Sequence, residues 1–76
     1  MTFTITHIPG NAKQPALPSI QTDSRRKVMQ EAEGGSCNYY GAFVVKAGRK
    51  TVAVFCNGDL FKSLPAARKS DRFAPR

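Results

Sequence analysis

Catalytic side chains are scarce in this 76-residue chain. It has one histidine, His7, two cysteines, Cys37 and Cys56, and five acidic residues scattered along its length. No cysteine or carboxylate stands near His7 in sequence, so no nucleophile–base pair is suggested. The isolated acids make paired carboxylates a poor expectation. Gly34-Gly35 lacks the lysine and the spacing of a phosphate-cradling loop. A zinc site would need His7, Cys37 and Cys56 together, without the close ligand pairs that such sites use. The expectation is a protein with no catalytic activity, no cofactor, no metal and no small-molecule substrate.

Long apolar runs are missing too. None approaches the roughly 18 residues of a transmembrane helix. The opening Met1-Thr2-Phe3-Thr4-Ile5-Thr6 has neither the basic nor the apolar stretch of a signal peptide. A soluble protein in a reducing cytoplasm is therefore expected, with both cysteines as small, buried, free thiols. Tryptophan is absent, which leaves five Phe and two Tyr to supply aromatic bulk. A chain this short makes one domain and buries only about 60% of its unfolded surface. Its core supplies on the order of 3–5 kcal/mol. A binding surface suits such a scaffold better than a deep pocket.

Negative charge is the third scarcity. Twelve Lys and Arg stand against five Asp and Glu, a formal net charge of +7. That excess points to anionic partners.

Residues 2–8 alternate, with Phe3, Ile5 and His7 on one side and the threonines on the other, as in a strand. Pro9, Gly10, Pro15 and Pro18 make 9–19 a loop, with Leu17 and Ile20 available to pin it. Residues 24–33 read as a short helix capped by Thr22, Asp23 or Ser24 and closed by Gly34-Gly35. Its apolar face is Val28, Met29 and Ala32. Residues 38–46 and 51–56 are rich in strand formers, and a turn at Gly48-Arg49 closes them into a hairpin. That register sets Val45 opposite Val52, Phe43 opposite Val54, and Gly41 opposite Cys56. Tyr40, Ala42, Val44, Ala53 and Phe55 then take the other face. Cys37 and Cys56 would lie too far apart along such a sheet to bridge.

Both hairpin faces are apolar, so both need cover: the helix on one, and the proline loop, the C-terminal segment or a partner on the other. Asn57-Gly58 suggests a second tight turn and a third strand over 59–63, with a helical turn capped by Asp59 as the rival. The expected fold is α+β: an antiparallel sheet of three or four strands with one short helix packed on it. Residues 1–64 make the domain, and 65–76 a basic C-terminal extension in which Pro65 can begin a helix.

The cations fall into three groups. Arg25, Arg26 and Lys27 open the helix, against the helix dipole, with Asp23, Glu31 and Glu33 offsetting them locally. Lys46, Arg49 and Lys50 mark the hairpin tip. Arg68, Lys69 and Arg72 lead the tail group, with Lys62 and Arg76 at its margins. Without Lys62 and Arg76, the other nine are the candidate partner-binding set. Because they form separate groups beside a two-sided apolar sheet, docking on an acidic protein surface is the first expectation. The partner would be a nucleic-acid-handling machine such as an RNA polymerase or a nuclease complex, regulated or inhibited as small bacteriophage proteins do. The alternative is direct, largely sequence-independent binding of DNA or RNA.

Overall fold

A computed structural model of the chain describes residues 2–10, 15–70 and 73. The elements follow in the order β1 (Phe3–Ile8), β2 (Ile20–Thr22), α1 (Arg25–Asn38), β3 (Ala42–Ala47), β4 (Lys50–Cys56), β5 (Asp59–Phe61) and α2 (Leu64–Arg68). The strands form one antiparallel sheet in the order β2-β1-β3-β4-β5. The class is α+β, as expected, with five strands and two helices among the described residues.

Both tight turns form where the sequence places them. Gly48 takes φ 64°, and Asn57 and Gly58 take φ 51° and 81°. Two successive positive φ values are the geometry that an Asn-Gly hairpin turn demands. The strand after Asn57-Gly58 forms, over Asp59–Phe61. β1 returns along β3, pairing Phe3 with Ala47 through to Ile8 with Ala42.

The register of the central hairpin differs from expectation. Ala47 pairs with Lys50 and Lys46 with Thr51, but the count then shifts and Val45 meets Ala53. The extra residue is Val52, a bulge that moves every later β4 side chain to the opposite face. Phe43 and Val45 therefore share a face with Ala53 and Phe55, while Ala42 and Val44 share the other with Val54 and Cys56. The bulge puts the two phenylalanines on the roomier side, under the long helix.

α1 also runs past its expected end. Gly34 and Gly35 lie inside it, and it closes at Tyr39, whose N–H donates to the Gly35 carbonyl. Packing explains Gly35: a Cβ there would come within 2.8 Å of the Phe43 ring. A side chain would hold helix and sheet apart. Gly34 meets nothing, and no contact in the fold accounts for it. Ser24 is the N-cap, its hydroxyl accepting the Lys27 N–H at 3.2 Å. Val28 and Ala32 are buried on Phe3, Ile5, Phe43, Val45, Ala53 and Phe55, with Met29 and Leu17 packed at the margin. Full burial of Val28 contributes about 1.5–3 kcal/mol.

The second face is covered from within the chain. Leu64–Arg68 forms α2, capped by Ser63, and Ala67 is buried against Ala42, Val44, Val54 and Cys56. Leu64 and Phe73 pack around it. The stretch expected as an extension thus begins with a helix seated on the sheet. Residues 71, 72 and 74–76 of it lie outside the described residues, as do 11–14 of the proline loop. Cys56 is buried, but Cys37 is exposed on α1, contrary to expectation, because the longer helix carries it outward.

Gly41 joins α1 to β3 with φ +100°, and its N–H donates to the Phe73 carbonyl at 2.8 Å. A Cβ at Gly41 would fall on the Ile8 carbonyl. Gly41→Ala is expected to cost about 3 kcal/mol or more in urea denaturation, through strained φ and a backbone clash. Gly34→Ala is expected to stabilise by up to about 1 kcal/mol. Equal effects at the two sites would contradict this account of the α1 end.

Candidate functional site

Strand pairing decides which basic groups meet. Phe3 stands opposite both Thr22 and Ala47, and Ala47 opposite Lys50. The start of β1, the end of β2 and the β3–β4 turn therefore lie at one end of the sheet. From Thr22 the chain passes through Asp23 and Ser24 directly into α1. The first helical turn thus begins at the same end as the hairpin tip. Arg25 and Lys50 line one shallow cleft there with Phe3, Ala47, Thr51 and Val52. Arg25, Arg26 and Lys27 join Lys46, Arg49 and Lys50 in a single cationic end, and all six are exposed.

One acid follows them in part. Glu31 lies four residues beyond Lys27, about 6 Å along the axis and on the same helix face, while Glu33 is about 9 Å from Lys27. Asp23 stays at the cationic end, where its carboxylate accepts the Thr2 hydroxyl at 3.2 Å. Local helix stability is not served by three cations in the first turn. Each opposes the helix dipole by roughly 0.3–1 kcal/mol. The same positive dipole end adds to the field that an anion would meet.

The entry to α1 is held firmly. The Ser24 N–H donates to the Thr22 hydroxyl at 3.3 Å while the Ser24 hydroxyl caps the helix. Neighbouring bonds therefore fix the direction in which the three cations leave the sheet.

Arg68 and Lys69 do not join this end. They are exposed at the end of α2, on the opposite face, where the chain heads toward Phe73 and Gly41 at the far end of β3. Arg72 lies outside the described residues.

One feature hidden from sequence reading is a polar row on the α2 side of the sheet. Gln21 pairs with Thr4, Thr4 with Lys46, and Lys46 with Thr51, so the four side chains stand in line across β2, β1, β3 and β4. The row adjoins the cationic end, with Lys46 in both. Leu64 lines a shallow pocket with Thr6, Lys46 and Thr51, beside the β3–β4 half of the row.

His7 belongs to the scaffold. It is buried, and its ring stacks on Phe43 with centroids 4.6 Å apart. The Leu17 N–H donates to Nδ1 at 3.1 Å, which requires Nδ1 to be unprotonated. Nε2–H then donates to the Tyr40 carbonyl at 2.9 Å. A neutral imidazole thus ties the proline loop and the α1–β3 connection to β1, and both nitrogens are used. Ser36 does similar work, donating to the Glu33 carbonyl at 2.8 Å and accepting the Gly58 N–H at 2.9 Å. Sequence patterning could not show either role, since each depends on partners 10–33 residues away.

Among the described residues no three His, Cys, Asp or Glu side chains gather as metal ligands would, and no helix is long and apolar enough to cross a membrane. Comparisons with protein-family models, curated proteins and solved structures match nothing to this chain.

Two measurements test the scaffold. His7→Phe keeps the stacking but strands the Leu17 N–H and the Tyr40 carbonyl, and is expected to cost about 2–4 kcal/mol. A loss under about 0.5 kcal/mol in urea titration would mean the paired bonds contribute nothing. In thiol titration with a chromogenic disulfide, the native protein is expected to yield one fast thiol, Cys37, and a second, Cys56, only on unfolding. Two fast thiols in the native state would place Cys56 outside the core.

Proposed function

We propose that this protein is a non-enzymatic module that binds nucleic acid through the phosphate backbone, largely without regard to sequence. The observation that carries this reading is the joining of Arg25, Arg26 and Lys27 to Lys46, Arg49 and Lys50 at one end of the sheet. Six exposed cations at one end of the sheet, on both of its sides and with Asp23 beside them, form a surface that exchanges condensed counterions for fixed positive charge.

Two considerations move this reading ahead of docking on an acidic protein. The protein-docking expectation rested on separated charge groups and an uncovered apolar sheet face. Two of the groups adjoin each other, and α2 with Phe73 covers the face. Among the described residues the large apolar side chain at the cationic end, Phe3, is buried. Protein interfaces concentrate their energy in anchors that a partner can reach, whereas phosphate contacts need only cations and hydrogen-bond donors. Protein docking remains the second reading. In its favour is a groove along α1 lined by Leu17, Ile20, Gly34 and Tyr39, in which Ile20 and Tyr39 are about half exposed.

The salt dependence of binding to a DNA duplex tests the proposal. With up to six phosphate contacts the log–log slope is expected near −5. Replacing all six cations by Gln is expected to weaken binding at least 100-fold and flatten the slope, with folding preserved because every one is exposed. Arg68→Gln with Lys69→Gln is expected to change affinity no more than about twofold. A sixfold variant that binds as the parent does would end this reading. A protein that co-purifies from the native cell and survives nuclease treatment would favour the second.

A further inference from the structure

We infer that the ligand of the cationic end is a duplex, held across two phosphate rows, with the polar row Gln21–Thr4–Lys46–Thr51 tracking one of them. This inference rests on the proposed function and specifies its substrate class.

Three observations lead to it. First, the cations are spread over two layers. Arg25, Arg26 and Lys27 stand on α1, on one side of the sheet, where Arg25 shares a cleft with Lys50, and Lys46 stands on the other face, with Arg49 at the turn. A single strand presents one line of phosphates and could engage one layer at a time. A duplex presents two lines across a groove, so cations on the two faces of one end can each meet a line.

Second, among the described residues no exposed aromatic side chain stands at the cationic end. Proteins that hold single strands set bases on exposed aromatic side chains, worth about 1–3 kcal/mol per base. Phe3 is buried at the cationic end. The exposed tyrosines, Tyr39 and Tyr40, follow the end of α1, at the far end of the sheet.

Third, the polar row supplies what phosphate oxygens use besides charge. Hydroxyl and amide donors position a protein on the backbone and carry no sequence information. The row spans three strand spacings, about 14 Å at the usual 4.8 Å each. That length is enough to meet more than one phosphate of the same strand. Gln21, Lys46 and Thr51 are exposed and Thr4 is half-buried, so the donors are within reach of a ligand lying on this face.

Fluorescence anisotropy with labelled 16-mers tests the inference: a DNA duplex, an RNA duplex and unstructured single strands of each, at one salt concentration. At least one duplex is expected to bind 10-fold or more tightly than its own single strands. The combined variant Thr4→Val, Gln21→Ala, Thr51→Val, checked for folding by its melting curve, is expected to weaken duplex binding about 10-fold. Because no cation is lost, its salt slope stays at the parental value. Single strands bound as tightly as the duplexes, or a folded triple variant with parental affinity, would overturn the inference and leave backbone binding standing. Failure of all four probes to bind would remove the underlying reading as well.

Discussion

β3 is buried on both faces, and the rest of the molecule is arranged around that constraint. Ala42, Phe43, Val44 and Val45 are all buried, so alternate side chains need cover on opposite sides. A chain of 76 residues has little with which to provide it. α1 is spent on one face and α2 on the other, and β1 and β4 occupy both edges of β3. Charged side chains are excluded from all of these places by the cost of desolvation. They are left with the exposed side of α1, the tips of the turns and the outer surface of α2. The two-sided core thus confines charge to a few places, of which the cationic end is one.

The same constraint explains why the bulge at Val52 matters. Without it, Phe43 would share a face with Val54, and Val44 with Phe55, leaving one phenylalanine on each side of the hairpin. With it, Phe43 and Phe55 lie together under α1, where the long helix can cover them. The α2 face receives Ala42, Val44, Val54 and Cys56, small enough for a five-residue helix to cover with Ala67 at its centre. Gly35 is the matching concession on the helix side, giving up helix propensity so that the Phe43 ring can fit. Sheet register, helix composition and the size of the second helix are one solution to a packing problem.

Local rules carried the sequence reading a long way and failed where distant residues decide. The two hairpin turns, the strand at residues 2–8, the start of α1 within the Thr22-Asp23-Ser24 run and its apolar face were legible because each is written in neighbouring residues. The bulge was not, since Thr51-Val52-Ala53 satisfies strand propensity in either register and only the competing burial of two phenylalanines selects one. Gly34-Gly35 signalled a helix end locally, and the contact that overrides the signal comes from Phe43 in the next strand. β2 has three residues and no turn chemistry of its own. The cationic end was invisible for the same reason. Arg25 and Lys50 are far apart in the chain and meet only because β1 returns along β3, which sets Phe3 beside Ala47.

Charge placement at that end argues for a ligand on energetic grounds. Three cations in the first turn of α1 oppose the helix dipole, and together they forgo on the order of 1–3 kcal/mol. That is a large share of the roughly 3–5 kcal/mol available to a domain this small. The loss is avoidable, because acids at those positions would cap the helix better and lower the net charge. The hairpin tip adds like charge beside them, which raises the self-repulsion further. A bound polyanion reverses the sign of every one of these terms. Cations that weaken the isolated fold become its contacts, the dipole end becomes attractive, and repulsion between the two groups is relieved by the phosphates between them. On this argument the free protein is less stable than its complex, and the imbalance is located at Arg25, Arg26 and Lys27 rather than spread over the surface.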